Sequence, residues 1–291
     1  MKGIVLAGGS GTRLWPMTET TSKQLLPIFD KPMVYYPLSI LMLAEIKEIL
    51  IISTPNDISG FKSLLGDGTR YGLEIEYAEQ KKPAGIAQAL IIAEDFLAGQ
   101  PSTLILGDNL FHGEEISKVL VDASSGILEL GGSHLFATRV PDPSRFGVAY
   151  TDGKGNIEKI VEKPMNPRSD YAVTGLYMYD SEAPNRAANL SPSERGELEI
   201  TDLNMSYVND GKARITIFGD EIAWLDSGTP DSLHSASTYV KNFQTKTGSM
   251  IGCLEEIAWK NGELSEQELK DSIGLYPAGN LYGDYVKSLL R

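Results

Sequence analysis

Near its start the chain reads Gly3-Ile4-Val5-Leu6-Ala7-Gly8-Gly9-Ser10-Gly11-Thr12-Arg13-Leu14, an apolar run that ends in a glycine-rich turn. The apolar run predicts a buried strand over residues 3–7. The glycines allow a sharp turn and a close approach to a ligand, and successive N–H groups in such a turn form a concave nest for phosphate oxygens. A dinucleotide fingerprint is excluded because Leu14 stands at its third glycine position, and a Walker A loop is excluded because no Gly-Lys-Ser or Gly-Lys-Thr occurs. Since Arg13 lies in the turn and Lys23 follows it, we interpret the turn as a phosphate site rather than a plain strand-to-helix connection.

The composition is that of a globular protein with an acidic surface. The chain has 291 residues, of which 42% are hydrophobic and 22% are charged, and its net charge is −13. No basic arm or stripe is visible, so nucleic acid and membranes are not expected partners. A phosphate-bearing substrate would be repelled at long range, and only a few locally placed cations could hold it.

Cysteine usage and hydropathy indicate the compartment. The single cysteine, Cys253, is predicted to be a small buried hydrophobe rather than a nucleophile, because no histidine lies near it in a recognisable pattern. No signal peptide and no long uncharged apolar stretch is recognised, so we expect a cytoplasmic protein.

Strand-length apolar runs alternate with segments of helical periodicity, which predicts an α/β layered fold. The predicted strands cover residues 3–7, 48–53, 73–78, 103–106, 134–140, 147–151, 157–162 and 173–179. Helices are predicted over residues 38–46, 85–97 and 198–208, from residue 230 with Thr229 as the N-cap, and over residues 282–290. Turn residues between 151 and 157 predict a hairpin. The expected architecture is Rossmann-like: a central mixed, mainly parallel sheet flanked by helices, with an inserted β-hairpin region and a helical C-terminal tail.

An ordered series of motifs carries a family resemblance over nearly the whole chain. The motifs are Gly8-Gly9-Ser10-Gly11-Thr12-Arg13-Leu14, Ser22-Lys23-Gln24-Leu25-Leu26-Pro27, Gln80, Gly85-Ile86-Ala87-Gln88-Ala89, Gly107-Asp108-Asn109, Arg145-Phe146-Gly147-Val148, Glu162-Lys163-Pro164, Tyr171-Ala172-Val173-Thr174-Gly175-Leu176-Tyr177, Arg195-Gly196-Glu197-Leu198-Glu199-Ile200-Thr201-Asp202 and Trp224-Leu225-Asp226-Ser227-Gly228-Thr229. In this series the chain resembles the sugar-nucleotide pyrophosphorylases, and among them the short glucose-1-phosphate thymidylyltransferases. The resemblance implies a nucleotide-diphospho-sugar transferase fold with a catalytic domain over residues 1–240 and a helical extension over 241–291 packed on it. Within the catalytic domain, the nucleotide-binding part would cover about residues 1–110 and the sugar-binding part about 134–230.

The implied reaction joins a nucleoside triphosphate to a sugar 1-phosphate. The substrates would be dTTP and glucose 1-phosphate, and the products dTDP-glucose and pyrophosphate. A phosphate oxygen is already a good nucleophile at neutral pH, so the reaction needs positioning and electrostatic stabilisation rather than a general base. Cations and a metal ion are therefore expected, and a Ser/His/Asp set is not.

The resemblance assigns site residues by position. The implied nucleotide-binding residues are Leu6, Gly8, Gly9, Ser10, Gly11, Thr12, Arg13, Lys23, Gln24, Gln80, Gly85 and Asp108. The implied sugar-phosphate-binding residues are Asn109, Gly147, Glu162, Lys163, Val173, Tyr177, Arg195 and Trp224. Arg13, Lys23 and Asp108 are the implied catalytic residues, and Asp108 and Asp226 are the implied Mg²⁺ ligands, since hard carboxylate oxygens suit this ion.

Individual roles follow from the chemistry of each side chain and from the same resemblance. Arg13 and the nest would hold the β- and γ-phosphates, and Lys23 the α-phosphate. The amides of Gln80 and Gln24 can both donate and accept, which fits the edge of a pyrimidine. Trp224 either packs on the sugar ring or fills core, and both readings stay open here.

Several alternatives remain at this stage. A UTP-using uridylyltransferase is the nearest rival, and a sensor that binds nucleotide sugars without catalysis belongs to a different class. A dinucleotide-dependent oxidoreductase is disfavoured by Leu14. The resemblance further implies a homotetramer and feedback inhibition by a dTDP-sugar, and the sequence itself supports neither.

Overall fold

The computed structural model describes residues 1–9, 11–152 and 155–290. Its strands are β1 Lys2–Ala7, β2 Pro27–Ile28, β3 Lys31–Pro32, β4 Glu48–Ser53, β5 Glu74–Glu79, β6 Ser102–Leu106, β7 Asn109–His112, β8 Ser133–Arg139, β9 Gly147–Thr151, β10 Ile157–Glu162, β11 Tyr171–Tyr179, β12 Ala213–Phe218 and β13 Ala223–Asp226. Its α-helices are α1 Tyr35–Leu43, α2 Ile58–Leu65, α3 Gln88–Ile92, α4 Glu94–Leu97, α5 Ile116–Leu130, α6 Ala183–Ala188, α7 Ile200–Asn209, α8 Pro230–Thr247, α9 Leu254–Lys260, α10 Glu266–Ile273 and α11 Leu281–Ser288. Short 3₁₀ turns cover Thr12–Leu14, Lys23–Leu25, Thr69–Tyr71 and Pro143–Arg145.

The main sheet is mixed, and β1 lies near its centre. Among the described residues it has nine strands, in the order β10-β9-β11-β6-β1-β4-β5, with β8 and β12 continuing from β11. The pairs β1–β4, β4–β5, β1–β6 and β8–β12 are parallel, whereas β11 pairs antiparallel with β6, β8 and β9. Strands β9 and β10 form the predicted antiparallel hairpin at one edge. The predicted α/β architecture is confirmed.

Alternation along β1 explains the layers on both sides of the sheet. Ile4 and Leu6 pack into a core with α3, α6 and α7, while Val5 and Ala7 pack into a second core with α1, α5 and α9. Because a strand buried on both faces needs apolar residues at every position, the continuous apolar run at the start of the chain is accounted for.

The helix predicted over residues 85–97 is wrong over residues 85–87, and the rest is divided into two helices. Residues 84–86 are not helical: Leu198 N donates to Ala84 O at 2.7 Å, and Ala87 N donates to Leu198 O at 3.3 Å. Gly85 has φ +101°, and a Cβ there would collide with the Leu198 backbone. Because Leu198 makes these backbone contacts, the helix predicted to begin at residue 198 begins at Ile200 instead. The two shorter helices α3 and α4 replace the single predicted one.

Helix α8 begins at the predicted cap Thr229, and α10 begins with the same kind of cap. Thr229 accepts from Ser232 N in a capping box with Pro230 at the first helical position, and Ser265 forms the same motif with Glu268. Helix α8 runs through residue 240, the predicted end of the catalytic domain, and that domain division stays a prediction. Cys253 is buried as expected, and burial raises the pKa of its thiol to about 12. No helix in the described ranges is long and apolar enough to cross a lipid bilayer.

Candidate active site

A cleft of about 690 Å³ opens where β1 and β6 end. Gly8 and Gly9 follow β1, and Asp108 follows β6, so both reach the carboxyl edge of neighbouring parallel strands. The cleft is lined by most of the residues that sequence analysis assigned to the site: Leu6, Gly8, Gly9, Arg13, Lys23, Gln24, Gln80, Gly85, Asp108, Asn109, Gly147, Glu162, Lys163, Val173, Tyr177, Arg195, Trp224 and Asp226.

Part of the predicted phosphate nest lies away from this cleft. Gly11 instead lines a second cavity of about 320 Å³, and its carbonyl oxygen accepts from Thr18 Oγ1 at 2.8 Å. Thr12 begins a 3₁₀ turn and lines neither cavity. Ser10 lies outside the described residues. The described part of the turn therefore presents Gly8, Gly9 and Arg13 to the cleft.

A small two-stranded ladder brings Asp108 and Asp226 together. Strands β7 and β13 pair antiparallel with Asp226 opposite Asn109, and Ser227 N donates to Asp108 O at 3.2 Å. The two aspartates are far apart in the sequence, and neither of these four-residue strands was predicted. Their meeting is therefore a product of the fold that spacing could not reveal.

Cations compensate the two carboxylates. Burial raises the pKa of Asp226, and the negative charge of Asp108 raises it further, whereas Lys23, Arg13 and Arg145 act in the opposite direction. Lys23 Nζ forms an ion pair with Asp108 Oδ2, and both side chains are about 15% exposed. Arg145 Nη2 lies 4.0 Å from Asp226 Oδ2. The two carboxylates thus repel each other in a confined space, and nearby positive charge reduces that repulsion.

Gly228 leaves room for the side chains of both Arg13 and Asp226. A Cβ at Gly228 would lie 3.2 Å from both Arg13 Nη2 and Asp226 Oδ1. A larger residue would push these charged groups apart.

The donor set fits a divalent metal that arrives with its substrate. No cluster of three or more His, Cys, Asp or Glu side chains suited to a metal occurs in the described residues, so the chain offers no complete cage there. Mg²⁺ commonly takes one or two carboxylates and completes its octahedron with phosphate oxygens and water. Asp108 and Asp226 supply hard oxygen donors of this kind. The histidines His112, His134 and His234 do not line the cleft.

A carboxylate and two cations line another part of the cleft. Glu162 ends β10 opposite Gly147, and its Oε2 accepts from Thr201 Oγ1 at 2.7 Å. Lys163 Nζ lies 3.3 Å from Glu162 Oε1, and Arg195 Nη2 lies 3.7 Å from the same oxygen. This carboxylate is therefore held in place by one hydroxyl and flanked by two positive charges.

Arg195 is anchored by a second carboxylate. The Nη2 atom of Arg195 donates to both oxygens of Glu199, at 2.9 and 2.8 Å. These bonds raise the pKa of the Arg195 guanidinium above its ordinary value. Because the Arg195 side chain is 45% exposed, part of the guanidinium remains available to an anion in the cleft.

Trp224 orients the asparagine beside Asp108. Its Nε1 donates to Asn109 Oδ1 at 2.6 Å, and Gly175 N donates to the same oxygen at 3.1 Å. Asn109 Nδ2 in turn donates to Asp108 Oδ1 at 3.0 Å. Phe146 packs edge-on against the indole with ring centroids 5.1 Å apart. Trp224 therefore lines the cleft and also fixes a polar neighbour.

An aromatic residue of β11 forms part of the cleft wall. Tyr177 is 4% exposed, and burial raises the pKa of its hydroxyl, with Glu162 and Asp108 adding to the effect. The hydroxyl therefore stays protonated and can act as a donor. Val173 is buried on the same strand and contributes an apolar surface.

Two glutamines lie beside the glycine turn. Gln24 is 3% exposed, its Nε2 donates to Gly8 O at 3.3 Å, and its Oε1 accepts from Ser22 Oγ at 2.6 Å. Gln80 Nε2 donates to Gln88 Oε1 at 2.8 Å. Gln24 therefore supports the turn through its amide nitrogen, although sequence analysis treated it as a base-reading group.

Sequence analysis missed several polar residues that line the cleft, and two of them contact predicted site residues: Arg145 and Thr201. Arg145 stands beside Asp226, and Thr201 bonds Glu162. Both lie inside motifs that carried the resemblance, so their position was a usable signal. Neither residue has a spacing that would single it out.

Comparison with known proteins gives consistent results. The family model described as nucleotidyl transferase matches residues 2–242. The glucose-1-phosphate thymidylyltransferase of Neisseria meningitidis serogroup A is 50% identical over 291 residues, covering 100% of both chains. That of Mycobacterium tuberculosis is 43% identical, covering 100% of this chain and 99% of the relative.

Two solved structures are similar to the structure of this chain. A protein from Bacillus anthracis described as a glucose-1-phosphate thymidylyltransferase, in complex with sucrose, has a TM-score of 0.75 at 40% identity, over 82% of this chain and 94% of that one. A UDP-glucose pyrophosphorylase with UDP-glucose has a TM-score of 0.71 at 24% identity, over 83% and 98% of the two chains, and it shows a shared fold.

Proposed function

The chain belongs to the nucleotidyl transferase family and, within it, to the glucose-1-phosphate thymidylyltransferases, and from this we propose that it converts dTTP and α-D-glucose 1-phosphate into dTDP-glucose and pyrophosphate. The observation that carries the proposal is the charge arrangement of one cleft. Arg13 and Lys23 stand at the glycine turn, Lys163 and Arg195 at another part of the cleft, and the Asp108–Asp226 pair completes it. Two anionic substrates could meet there.

The reaction is an in-line displacement at the α-phosphorus. A phosphate oxygen of glucose 1-phosphate attacks, the new P–O bond forms, and the bond to the β-phosphate oxygen breaks on the opposite side. Pyrophosphate leaves with that electron pair. No general base is needed, so the contribution of the protein is to position the two anions and to stabilise their charge.

Lys23 and Arg13 serve the triphosphate. Lys23 is paired with Asp108 and is therefore held at the cleft as a fixed positive charge. In our proposal it contacts the α-phosphate, where charge accumulates as the two substrates meet. Arg13, close to Gly228 and Asp226, neutralises the departing pyrophosphate.

Asp108 and Asp226 would hold a divalent ion, for which we propose Mg²⁺. Nucleotidyltransferases generally use a divalent metal. When bound, such an ion supplies Lewis-acid stabilisation of phosphate oxygens. Asn109, fixed by Trp224, keeps one oxygen of Asp108 in a defined orientation.

Lys163 and Arg195 would receive the phosphate of the sugar substrate. Both are close to Glu162, so an incoming phosphate would find two cations already gathered. Glu162 can then accept hydrogen bonds from sugar hydroxyls, and Thr201 keeps it in place. Trp224 and Tyr177 would provide the adjoining walls.

Turnover with defined substrates tests this function. We expect pyrophosphate release from dTTP in the presence of glucose 1-phosphate and a divalent metal. A preference for UTP over dTTP of more than about tenfold would make the enzyme a uridylyltransferase, and absence of pyrophosphate release with either nucleotide would favour a nucleotide-sugar sensor. Loss of activity in excess EDTA is expected.

The remaining expectations extend this proposal. We propose a cytoplasmic homotetramer that is inhibited by a downstream dTDP-sugar, on the basis of the family membership alone. Sedimentation analysis of the purified protein tests the tetramer, and inhibition kinetics with dTDP-sugars test the feedback.

A further inference from the structure

The orientation of the Gln80 amide follows from a chain of hydrogen bonds that begins at the backbone. Ala84 N donates to the Gln88 side chain at 3.0 Å, and Gln80 donates to the same atom at 2.8 Å. Because a backbone N–H can only donate, the Gln88 atom that receives it is the carbonyl oxygen Oε1. The Gln80 atom that faces this oxygen must then be the amide nitrogen. Gln88 thus determines which way Gln80 is turned.

The other end of the Gln80 amide faces the cleft. Gln80 Oε1 lies directly over Gly8, since a Cβ on that glycine would be 2.5 Å from it. No hydrogen-bond donor reaches this oxygen from the parts of the chain that the structure describes. Although Gln80 is only 4% exposed, it lines the cleft, so its oxygen is an acceptor presented to a ligand.

Gln24 is less suited to this task, because its oxygen already accepts from Ser22 and its nitrogen donates to Gly8. Of the two glutamines beside the glycine turn, Gln80 is therefore the one with an acceptor to offer.

We infer that Gln88 is a positioning residue for base selection: by holding the Gln80 amide nitrogen it presents Gln80 Oε1 to the cleft and favours a pyrimidine that carries a proton on N3. This inference rests on the proposed function. Thymine and uracil carry an N3–H that can donate to Gln80 Oε1, whereas N3 of cytosine is a bare acceptor that would face another acceptor. Such a mismatch leaves buried polar groups unpaired, which is an effective source of discrimination. The arrangement does not distinguish thymine from uracil.

The test compares Gln88→Met with Gln88→Glu. Methionine fills a similar volume but removes the strong acceptor, so the Gln80 amide is free to turn its nitrogen toward the cleft. The glutamate of the control variant retains oxygens that can accept from both Ala84 N and Gln80 Nε2. Affinities for dTTP and dCTP are measured by calorimetry, and kcat and KM for both nucleotides are measured at saturating glucose 1-phosphate.

For Gln88→Met we expect the preference for dTTP over dCTP to fall by about tenfold or more, the size of one lost hydrogen bond. The loss should appear in Kd and KM, while kcat at saturating dTTP stays within about threefold. Gln88→Glu should keep the wild-type preference. If Gln88→Met does not fold, as judged by thermal melting, Gln88→Ala takes its place.

An unchanged preference in the folded Gln88→Met or Gln88→Ala variant would overturn the inference, and so would a Gln88→Glu variant that loses as much preference as Gln88→Met. Calorimetry requires no turnover. A wild-type protein that binds dTTP but does not release pyrophosphate would therefore refute the proposed function alone, whereas normal wild-type turnover with an unaltered preference in Gln88→Met would refute the role of Gln88 alone.

Discussion

Replacing Asp108 by asparagine separates electrostatic catalysis from folding. The substitution keeps the side-chain shape and removes one negative charge that faces Lys23 and Asp226. We expect kcat/KM to fall because a neutral amide is a poor ligand for a divalent ion and no longer holds Lys23 at the cleft. A loss of about 3 kcal/mol of transition-state stabilisation corresponds to a rate reduction of about 150-fold.

The same substitution should change the free energy of unfolding much less than it changes the rate, because it removes one favourable and one unfavourable interaction. The wild-type protein gains from the Lys23–Asp108 ion pair but loses from the repulsion between Asp108 and Asp226, and the substitution removes both. Because Lys23 keeps the negative charge of Asp226 nearby and these side chains line a cleft, we expect the free energy of unfolding to change by no more than about 1 kcal/mol.

Continuous pyrophosphate release measures the rate, and urea unfolding measures the stability. Asp122→Asn is a matched control, because Asp122 is exposed on α5 and lies outside the cleft. Near-wild-type turnover in Asp108→Asn would remove this residue from the active site. A large loss of stability would instead show that the charge supports the fold.

Three further outcomes are expected. Lys23→Ala should lower kcat more than it raises KM for dTTP, because its charge matters most as the α-phosphate becomes crowded; a pure KM effect would contradict this role. Gly85→Ala should lower the free energy of unfolding in urea by at least about 1 kcal/mol, because Gly85 has a positive φ and the Leu198 backbone lies beside it. An unchanged urea midpoint would contradict that packing. Burial, together with Arg214, lowers the pKa of His134 to about 4 from 6.5. Folding therefore favours the neutral imidazole, so the contribution of His134 to the free energy of unfolding should be complete above pH 6.5 and fall by up to about 3 kcal/mol as the pH drops toward 4. The His134→Gln variant should lack this pH-dependent contribution. Identical plots of unfolding free energy against pH for the variant and the wild type would refute it.

The regular elements could largely be predicted from local patterns. Strands β4, β9 and β10 have the predicted bounds, because each is a short apolar or alternating run between turn residues. Helix α8 starts at its predicted cap because capping depends on a few adjacent residues. Because these features depend on a few adjacent residues, they can be predicted from short sequence patterns.

The site required information that local patterns do not hold. Strands β7 and β13 are four residues long, too short for a periodicity, and their pairing is a long-range contact. The helical periodicity predicted from residue 85 was overridden over residues 85–87 by the backbone contact with Leu198. Roles for Arg13, Lys163 and Arg195 came from the family resemblance, since isolated cations on an acidic chain are usually solvated surface groups.

The ladder between β7 and β13 has a consequence for synthesis of the chain. A polypeptide emerging from the ribosome carries the glycine-rich turn first, then Asp108, and acquires Asp226 only after most of its length has been made. In our proposal, the groups that face the triphosphate are therefore made well before the two carboxylates can come together. If the pair holds the metal ion as we propose, a growing chain cannot consume dTTP until β13 has been made.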